Sequence, residues 1–363
     1  MTAVTRSRTA PAPRPSVAAV DPYDWEASTA DVAARAGLPL DAVVRFDTNT
    51  CPWPGAGLDG LAAEPLNEYP DPTYAQLTAA LARHAAVAPA AVTVGAGADE
   101  ILALLATAYL APGDPVVMAD PTYSMFGVLS EIAGAEVRRI PSPGLRLDRH
   151  RMLEAAGSAR LTWLCNPNNP TGELLPPEFV GELADAARGV VVVDEAYHEF
   201  CQSTAVPLAM ARANVVVVRT LSKAFGLAGA RVGYAVAGPG IAATLARVRP
   251  PGSISGVSAA LAVHALERAD EMRARVRALL LLRQRLAADI EALDMPVQVG
   301  AANFLLVSCP PGLAPALAAR GLVVRTFPVG SPLHGWMRIT VRAAEENGRL
   351  VAALRTWGLG DGR

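Results

Sequence analysis

Five short apolar runs recur through the middle of the chain: Val92-Thr93-Val94, Val116-Val117-Met118, Leu161-Thr162-Trp163-Leu164, Val190-Val191-Val192-Val193 and Val215-Val216-Val217-Val218. Stretches of helical composition separate them, such as Ile101 to Leu110. Valine-rich runs without polar alternation, spaced by helices, predict strands of a mostly parallel sheet covered on both faces. The fold class is therefore α/β. On such sheets ligands bind outside the carboxyl ends of the strands, and the candidate polar residues fall there. From about Val257 a long helical stretch follows, with Arg273, Arg275 and Arg277 on a solvated face. Phe304 to Val307, Leu322 to Val324 and Met337 to Val341 then read as strands of a second, smaller α+β unit.

A chain of 363 residues exceeds what one core usually supports, so a large and a small domain sharing a cleft are expected. We divide it into an unstructured tail over 1–20, an N-terminal arm and part of the small domain over 21–66, a large domain over 67–255, and the rest of the small domain over 256–363. The tail carries Arg6, Arg8 and Arg14 without acids, but its prolines break any amphipathic helix of a targeting peptide. A net charge of -2 argues against nucleic acid or a membrane surface as partner. No apolar run approaches the ~20 residues of a membrane span. Cys51, Cys165, Cys201 and Cys309 are scattered without metal-ligand spacing, as expected of reduced thiols in a cytoplasmic protein.

Composition points next to one side chain. Lys223 is the only lysine, and every other member of the Lys+Arg total of 32 is arginine. Guanidinium cannot form a Schiff base, whereas a desolvated lysine amine can. Ser222 beside it offers a hydroxyl, and Arg231 a planar fork suited to phosphate. Gly95-Ala96-Gly97-Ala98-Asp99 opens a helix after the first run, where free backbone N–H groups face an anion. Asn166-Pro167-Asn168-Asn169-Pro170-Thr171-Gly172 makes a rigid turn after the third. Asp194 ends the fourth run as a buried carboxylate, costly unless paired. Arg338 sits among apolar neighbours on a half-buried strand, where a bound anion would offset its charge. A metal reading of Asp194, Glu195, His198 and Glu199 would leave Lys223, Asn169 and Arg231 without a role, so no metal is expected.

The segment Thr220-Leu221-Ser222-Lys223-Ala224-Phe225-Gly226-Leu227-Ala228-Gly229-Ala230-Arg231 resembles the lysine segment of fold-type I pyridoxal-phosphate aminotransferases, closest to their histidinol-phosphate branch. Other motifs extend the resemblance from about Asp47 to Thr340. It implies that Lys223 bonds covalently to pyridoxal 5'-phosphate and acts as general acid and base. Asp194 would hold the pyridinium nitrogen, Asn169 and Tyr197 would flank the phenolic oxygen, and Tyr123 would stack on the ring. Ala98, Asp99, Thr220, Ser222 and Arg231 would hold the cofactor phosphate. Tyr69, in Asn67-Glu68-Tyr69-Pro70, would reach the phosphate of a second subunit, so a homodimer is implied. Arg338 would take the carboxylate of glutamate or 2-oxoglutarate and Arg325 a substrate phosphate, with Asn49 and Tyr23 also at the substrate.

The reaction so implied converts histidinol phosphate and 2-oxoglutarate to imidazole-acetol phosphate and glutamate, a step of histidine biosynthesis. Cys51 stands where the family has a second Asn, and Arg342 where this branch has Gly. These departures keep open an aromatic or specialised-pathway amino acid as substrate. A lyase similar to threonine-phosphate decarboxylase shares the Asn-rich turn and the lysine. A binder without catalysis would have no need of an amine nucleophile.

Overall fold

The computed structural model describes residues 14–20, 26–55 and 67–360. Thirteen strands form three sheets among the described residues. In chain order they are β1 (Val44–Arg45), β2 (Val92–Gly95), β3 (Pro115–Asp120), β4 (Glu136–Pro141), β5 (Leu161–Cys165), β6 (Val190–Asp194), β7 (Val215–Thr220), β8 (Gly233–Ala237), β9 (Val297–Val299), β10 (Phe304–Ser308), β11 (Leu322–Val323), β12 (Arg325–Thr326) and β13 (Trp336–Thr340).

The large sheet runs β2-β8-β7-β6-β5-β3-β4, parallel except for β8, which is antiparallel to both neighbours. All five valine-rich runs lie in it. Their alternation feeds two cores at once. Val191, Val193, Val215 and Val217 join the core on one face, and Val190, Val192, Val216 and Val218 the core on the other. β5, β6 and β7 are buried along their whole length. Two strands escape the valine pattern. β4 is a charged edge strand, Glu136-Val137-Arg138-Arg139-Ile140-Pro141, mostly exposed, as suits an edge that must not recruit other strands. β8 is built from small residues and Tyr234.

The second sheet, β12-β13-β10-β9, is antiparallel. The expected strand over Leu322–Val324 is split in two. Leu322–Val323 pairs in parallel with β1, while Arg325–Thr326 pairs with β13. The long helical stretch is likewise two helices, Gly256–Glu267 and Ala269–Glu291. Pro15–Ala18 form one helical turn, with the Ser16 hydroxyl donating to the Ile132 carbonyl at 3.1 Å. The unstructured tail expected over 1–20 thus does not extend over these residues, because that bond and the proline at the helix start favour a turn. Residues 1–13 lie outside the described part.

The turn after β5 and the loop between β9 and β10 touch through bare backbone. A Cβ placed on Gly300 would lie 2.4 Å from the Gly172 Cα, and the Ala301 amide donates to the Gly172 carbonyl at 2.8 Å. Gly172 itself has a φ of +71°. Gly300→Ala is expected to lower the urea midpoint of unfolding, by about 1–3 kcal/mol of stability with an unchanged denaturant slope.

Candidate active site

The carboxyl ends of β3, β5, β6 and β7 and the start of the helix Ala98–Tyr109 open into one cleft of about 780 Å³, closed on the far side by residues of the second sheet. Ala98, Asp99, Tyr123, Asn169, Asp194, Tyr197, Thr220, Ser222, Lys223 and Arg231, from the large sheet and its loops, line it together with Asn49, Arg325 and Arg338. Tyr69 does not line it. It is 97% exposed on the surface of the single chain. Tyr23 lies outside the described residues.

Parallel register places the two central groups. Cys165 on β5 is abreast of Asp194 on β6, and Asp194 is abreast of Val218 on β7, two residues before Thr220. Asp194 is 3% exposed, and the Ala196 amide donates to its Oδ1 at 3.0 Å. Burial pushes its carboxyl up to about 7. Lys223 lies in the cleft floor, its Nζ 3.5 Å from the Thr48 carbonyl and 6.0 Å from the Tyr197 ring centroid. Burial pushes its amine down to about 8, and the nearby Arg338 charge adds to that. An amine and a carboxyl whose pKa values burial pushes toward each other, in one cleft, mark a candidate functional site.

At the helix start, Gly97 leaves room for Arg231: a Cβ there would lie 2.6 Å from its guanidinium. Arg231 holds a left-handed φ of 52° and donates to the Asp99 carboxylate at 2.9 Å, while the Tyr123 hydroxyl donates to the other oxygen of Asp99 at 2.8 Å. The Thr220 hydroxyl donates to Ser222 Oγ at 2.9 Å. Hydroxyls, helix-start amides and a guanidinium meet here, the donor set of a phosphate cradle. With a buried carboxylate suited to a ring N–H⁺ and an amine of lowered pKa, these residues fit pyridoxal phosphate.

The opposite wall is hydrogen-bonded as one unit. Arg338 donates to Asn169 Oδ1 at 2.7 Å, turning the amide nitrogen of Asn169 away from it, and also donates to the Asp47 carbonyl. Asn49 has φ 53° and is 2% exposed. Its amide donates to the Tyr197 hydroxyl at 2.9 Å, and its carbonyl oxygen accepts from Thr340 at 3.0 Å. Its side chain thus positions Tyr197. Asp47, Thr340, Thr48 and Glu26 were not singled out from the sequence. The first three are neighbours of singled-out residues, and only Glu26 had no local signal.

The metal reading has a positive counter-observation. The Glu195 carboxylate is held by Arg219 at 2.9 Å and by Thr204 at 3.0 Å, and His198 Nδ1 lies 3.0 Å from the Ser203 carbonyl. The two departures from the family pattern, Cys51 and Arg342, both lie outside the cleft lining. Arg342 pairs with Glu346 at 2.9 Å, while partial burial pushes the Cys51 thiol up.

The family profile of aminotransferase class I and II matches residues 44–354. The chain belongs to the class I and II aminotransferases. It is 38% identical over 296 residues to histidinol-phosphate aminotransferase of Thermoanaerobacter pseudethanolicus, covering 80% of this chain and 84% of that protein. With the same enzyme of Roseiflexus castenholzii the identity is 34%, over 94% of this chain and 97% of that one. The crystal structure of histidinol-phosphate aminotransferase from Sinorhizobium meliloti, in complex with pyridoxal-5'-phosphate, superposes with a TM-score of 0.87 at 27% identity, covering 99% of this chain and 100% of that one. L-threonine-O-3-phosphate decarboxylase from Porphyromonas gingivalis shares the fold, with a TM-score of 0.75 at 23% identity over 87% of this chain and 98% of that one. The aminotransferase is thus a fold-type I, pyridoxal-phosphate-dependent enzyme acting on small amino and oxo acids, as its lysine segment led us to expect. Among its described residues no helix is long and apolar enough to cross a membrane.

The electrostatics of Asp194 give a test on the cofactor-free aminotransferase. Its folded pKa lies above the unfolded value, so the native state binds more protons between about pH 4 and 7 and loses stability as pH rises through that window. Asp194→Asn removes this cost. The variant is expected to be more stable than the parent by roughly 3–5 kcal/mol at pH 8, with the gap closing toward pH 4. A gap independent of pH, followed by thermal melting, would refute the buried-charge account.

Proposed function

We propose that this aminotransferase moves the amino group of histidinol phosphate to 2-oxoglutarate, giving imidazole-acetol phosphate and glutamate. One observation carries the choice: Arg325 on β12 and Arg338 on β13 are direct cross-strand partners, and both line the cleft. Arg325 already pairs with Glu26 at 3.1 Å, and two like charges abreast on a strand pair still favour a further anion facing both. A phosphate monoester is the anion best suited to two guanidinium forks. The relatives named histidinol-phosphate aminotransferase, 34% and 38% identical over most of the chain, support the same reading.

In this reading Lys223 is the covalent anchor and the proton carrier. An amine near pKa 8 is neutral in part at neutral pH, so Nζ could accept the proton released at the amine-bearing carbon of a substrate. Pyridoxal phosphate, when bound, supplies the conjugated ring that accepts the electrons released at that carbon. Asp194 holds the ring nitrogen protonated, and Asn169 and Tyr197 bind the phenolic oxygen. Tyr123 covers the ring. The Ala98 and Asp99 amides, Thr220, Ser222 and Arg231 bind the cofactor phosphate. Arg338 binds the glutamate carboxylate, and Tyr23 borders the substrate. We assign the exposed Tyr69 to the phosphate of a second subunit, which makes the working enzyme a homodimer. Four free cysteines suit the cytoplasm.

Lys223→Ala is expected to fold yet retain no pyridoxyl group after borohydride reduction, read by mass spectrometry. Finding the group attached would overturn the role of Lys223. In the wild type, histidinol phosphate and glutamate, added separately, should each bleach the yellow absorbance of the cofactor-loaded enzyme. A response to glutamate alone would refute the substrate while leaving the aminotransferase intact.

A further inference from the structure

A chain of buried polar side chains leads from the second sheet to Tyr197. Thr340 ends β13 and is fully buried. Its hydroxyl oxygen accepts the Asn49 backbone N–H at 2.9 Å, and its hydroxyl hydrogen goes to Asn49 Oδ1 at 3.0 Å. Asn303, also buried, donates its side-chain amide to the Asn49 carbonyl at 3.1 Å, and its own carbonyl accepts from the Val341 N–H at 2.9 Å. Both backbone groups of Asn49 are thus bonded, at the left-handed φ of 53° that asparagine adopts more readily than most residues. One freedom remains, an end-for-end turn of the side-chain amide that exchanges its oxygen for its nitrogen.

Thr340 decides which way that amide lies. A hydroxyl has a single hydrogen to give. As the amide lies, this hydrogen has its acceptor in Oδ1, and Nδ2 donates to the Tyr197 hydroxyl oxygen at 2.9 Å. Turned over, the amide would offer a second N–H to Thr340. The buried hydroxyl hydrogen would then have no acceptor among the described residues, which carries the cost of an unsatisfied polar group. Tyr197 is itself buried and lines the cleft. Because its oxygen accepts from Asn49, its own hydrogen stays available to the cleft. In the turned-over arrangement that hydrogen would be bound to Asn49 Oδ1 instead.

We propose that Thr340 is a positioning residue for the cofactor: through Asn49 it fixes the polarity of the Tyr197 hydroxyl, so that Tyr197 donates rather than accepts into the cleft. The proposal rests on the assignment of Tyr197 to the phenolic oxygen of the cofactor. A donated hydrogen bond stabilises negative charge on that oxygen and weakens its hold on a proton at the nitrogen joining the cofactor to Lys223. Thr340 does not line the cleft, so it acts only through its neighbours. β13 therefore serves the site twice, directly through Arg338 and at two bonds' remove through Thr340.

The test compares Thr340→Val, which removes the hydroxyl, with Thr340→Ser, which keeps it. In the cofactor-free protein, the ring doublet of tyrosine in the Raman spectrum reports whether a phenol oxygen accepts or donates. Subtracting the spectrum of the matching Tyr197→Phe variant isolates this one phenol. The difference is expected to move from accepting toward donating in Thr340→Val and to keep the wild-type pattern in Thr340→Ser. In the cofactor-loaded enzyme, the pH midpoint of the yellow absorbance should rise by about one unit in Thr340→Val, the worth of one hydrogen bond to a charged oxygen, and stay in place in Thr340→Ser. A merely structural hydroxyl would cost stability and leave both spectra as in the wild type, which overturns the proposal. So does a serine variant that behaves like the valine one, or a midpoint that Tyr197→Phe moves and Thr340→Val does not. Should Tyr197→Phe itself leave the midpoint unchanged, the assignment of Tyr197 to the phenolic oxygen fails on its own, and the Raman difference still decides the role of Thr340. If Thr340→Val does not fold, Thr340→Cys, whose thiol is a weak donor, takes its place.

Discussion

Asp194 is a carboxylate held at the carboxyl end of the central strand of a sheet buried on both faces, and the site is arranged around the consequences. Its own strand cannot relieve it, because the residues before it are valines committed to two cores. One backbone amide reaches it, and burial still pushes its carboxyl up to about 7. A carboxylate so placed is stabilised by any cation brought to that fixed point above the sheet. The neighbouring strands set the rest around that point. β7 brings the hydroxyls of Thr220 and Ser222 and the amine of Lys223, and β5 brings the turn with Asn169.

The contrast with Glu195, one residue later, shows how position divides two acids. Its side chain points away from Asp194 along the alternation of an extended chain and finds Arg219, whose own side chain is buried. Removing either partner of such a pair would strand a charge. Adjacent carboxylates are therefore placed differently, one paired within the fold and one buried at the cleft.

Much of this was legible in the sequence because the signals were local. Valine runs marked β2, β3, β5, β6 and β7, a solitary lysine marked the amine, and turn residues marked the loop after β5. β4 was not legible, since an exposed charged edge strand lacks the apolar run that a buried strand requires. Nor was the split at Val324, where one continuous apolar run feeds two different sheets. In the cleft, residues at strand ends were found, whereas Thr340 and Asp47 act through bonds to Asn49 and Arg338 that only tertiary structure creates. Glu26 meets Arg325 across 299 positions of chain, and no periodicity could have joined them.

The backbone contact of Gly172 with Gly300 sets where the cleft has its zero. Two main chains meeting without side chains between them fix the turn bearing Asn169 against the sheet bearing Arg338, and the 2.7 Å bond between those residues lies next to that fixed point. Whatever enters the cleft therefore meets Asn169 and Arg338 already set against each other, a fixed reference that side chains alone would hold less firmly.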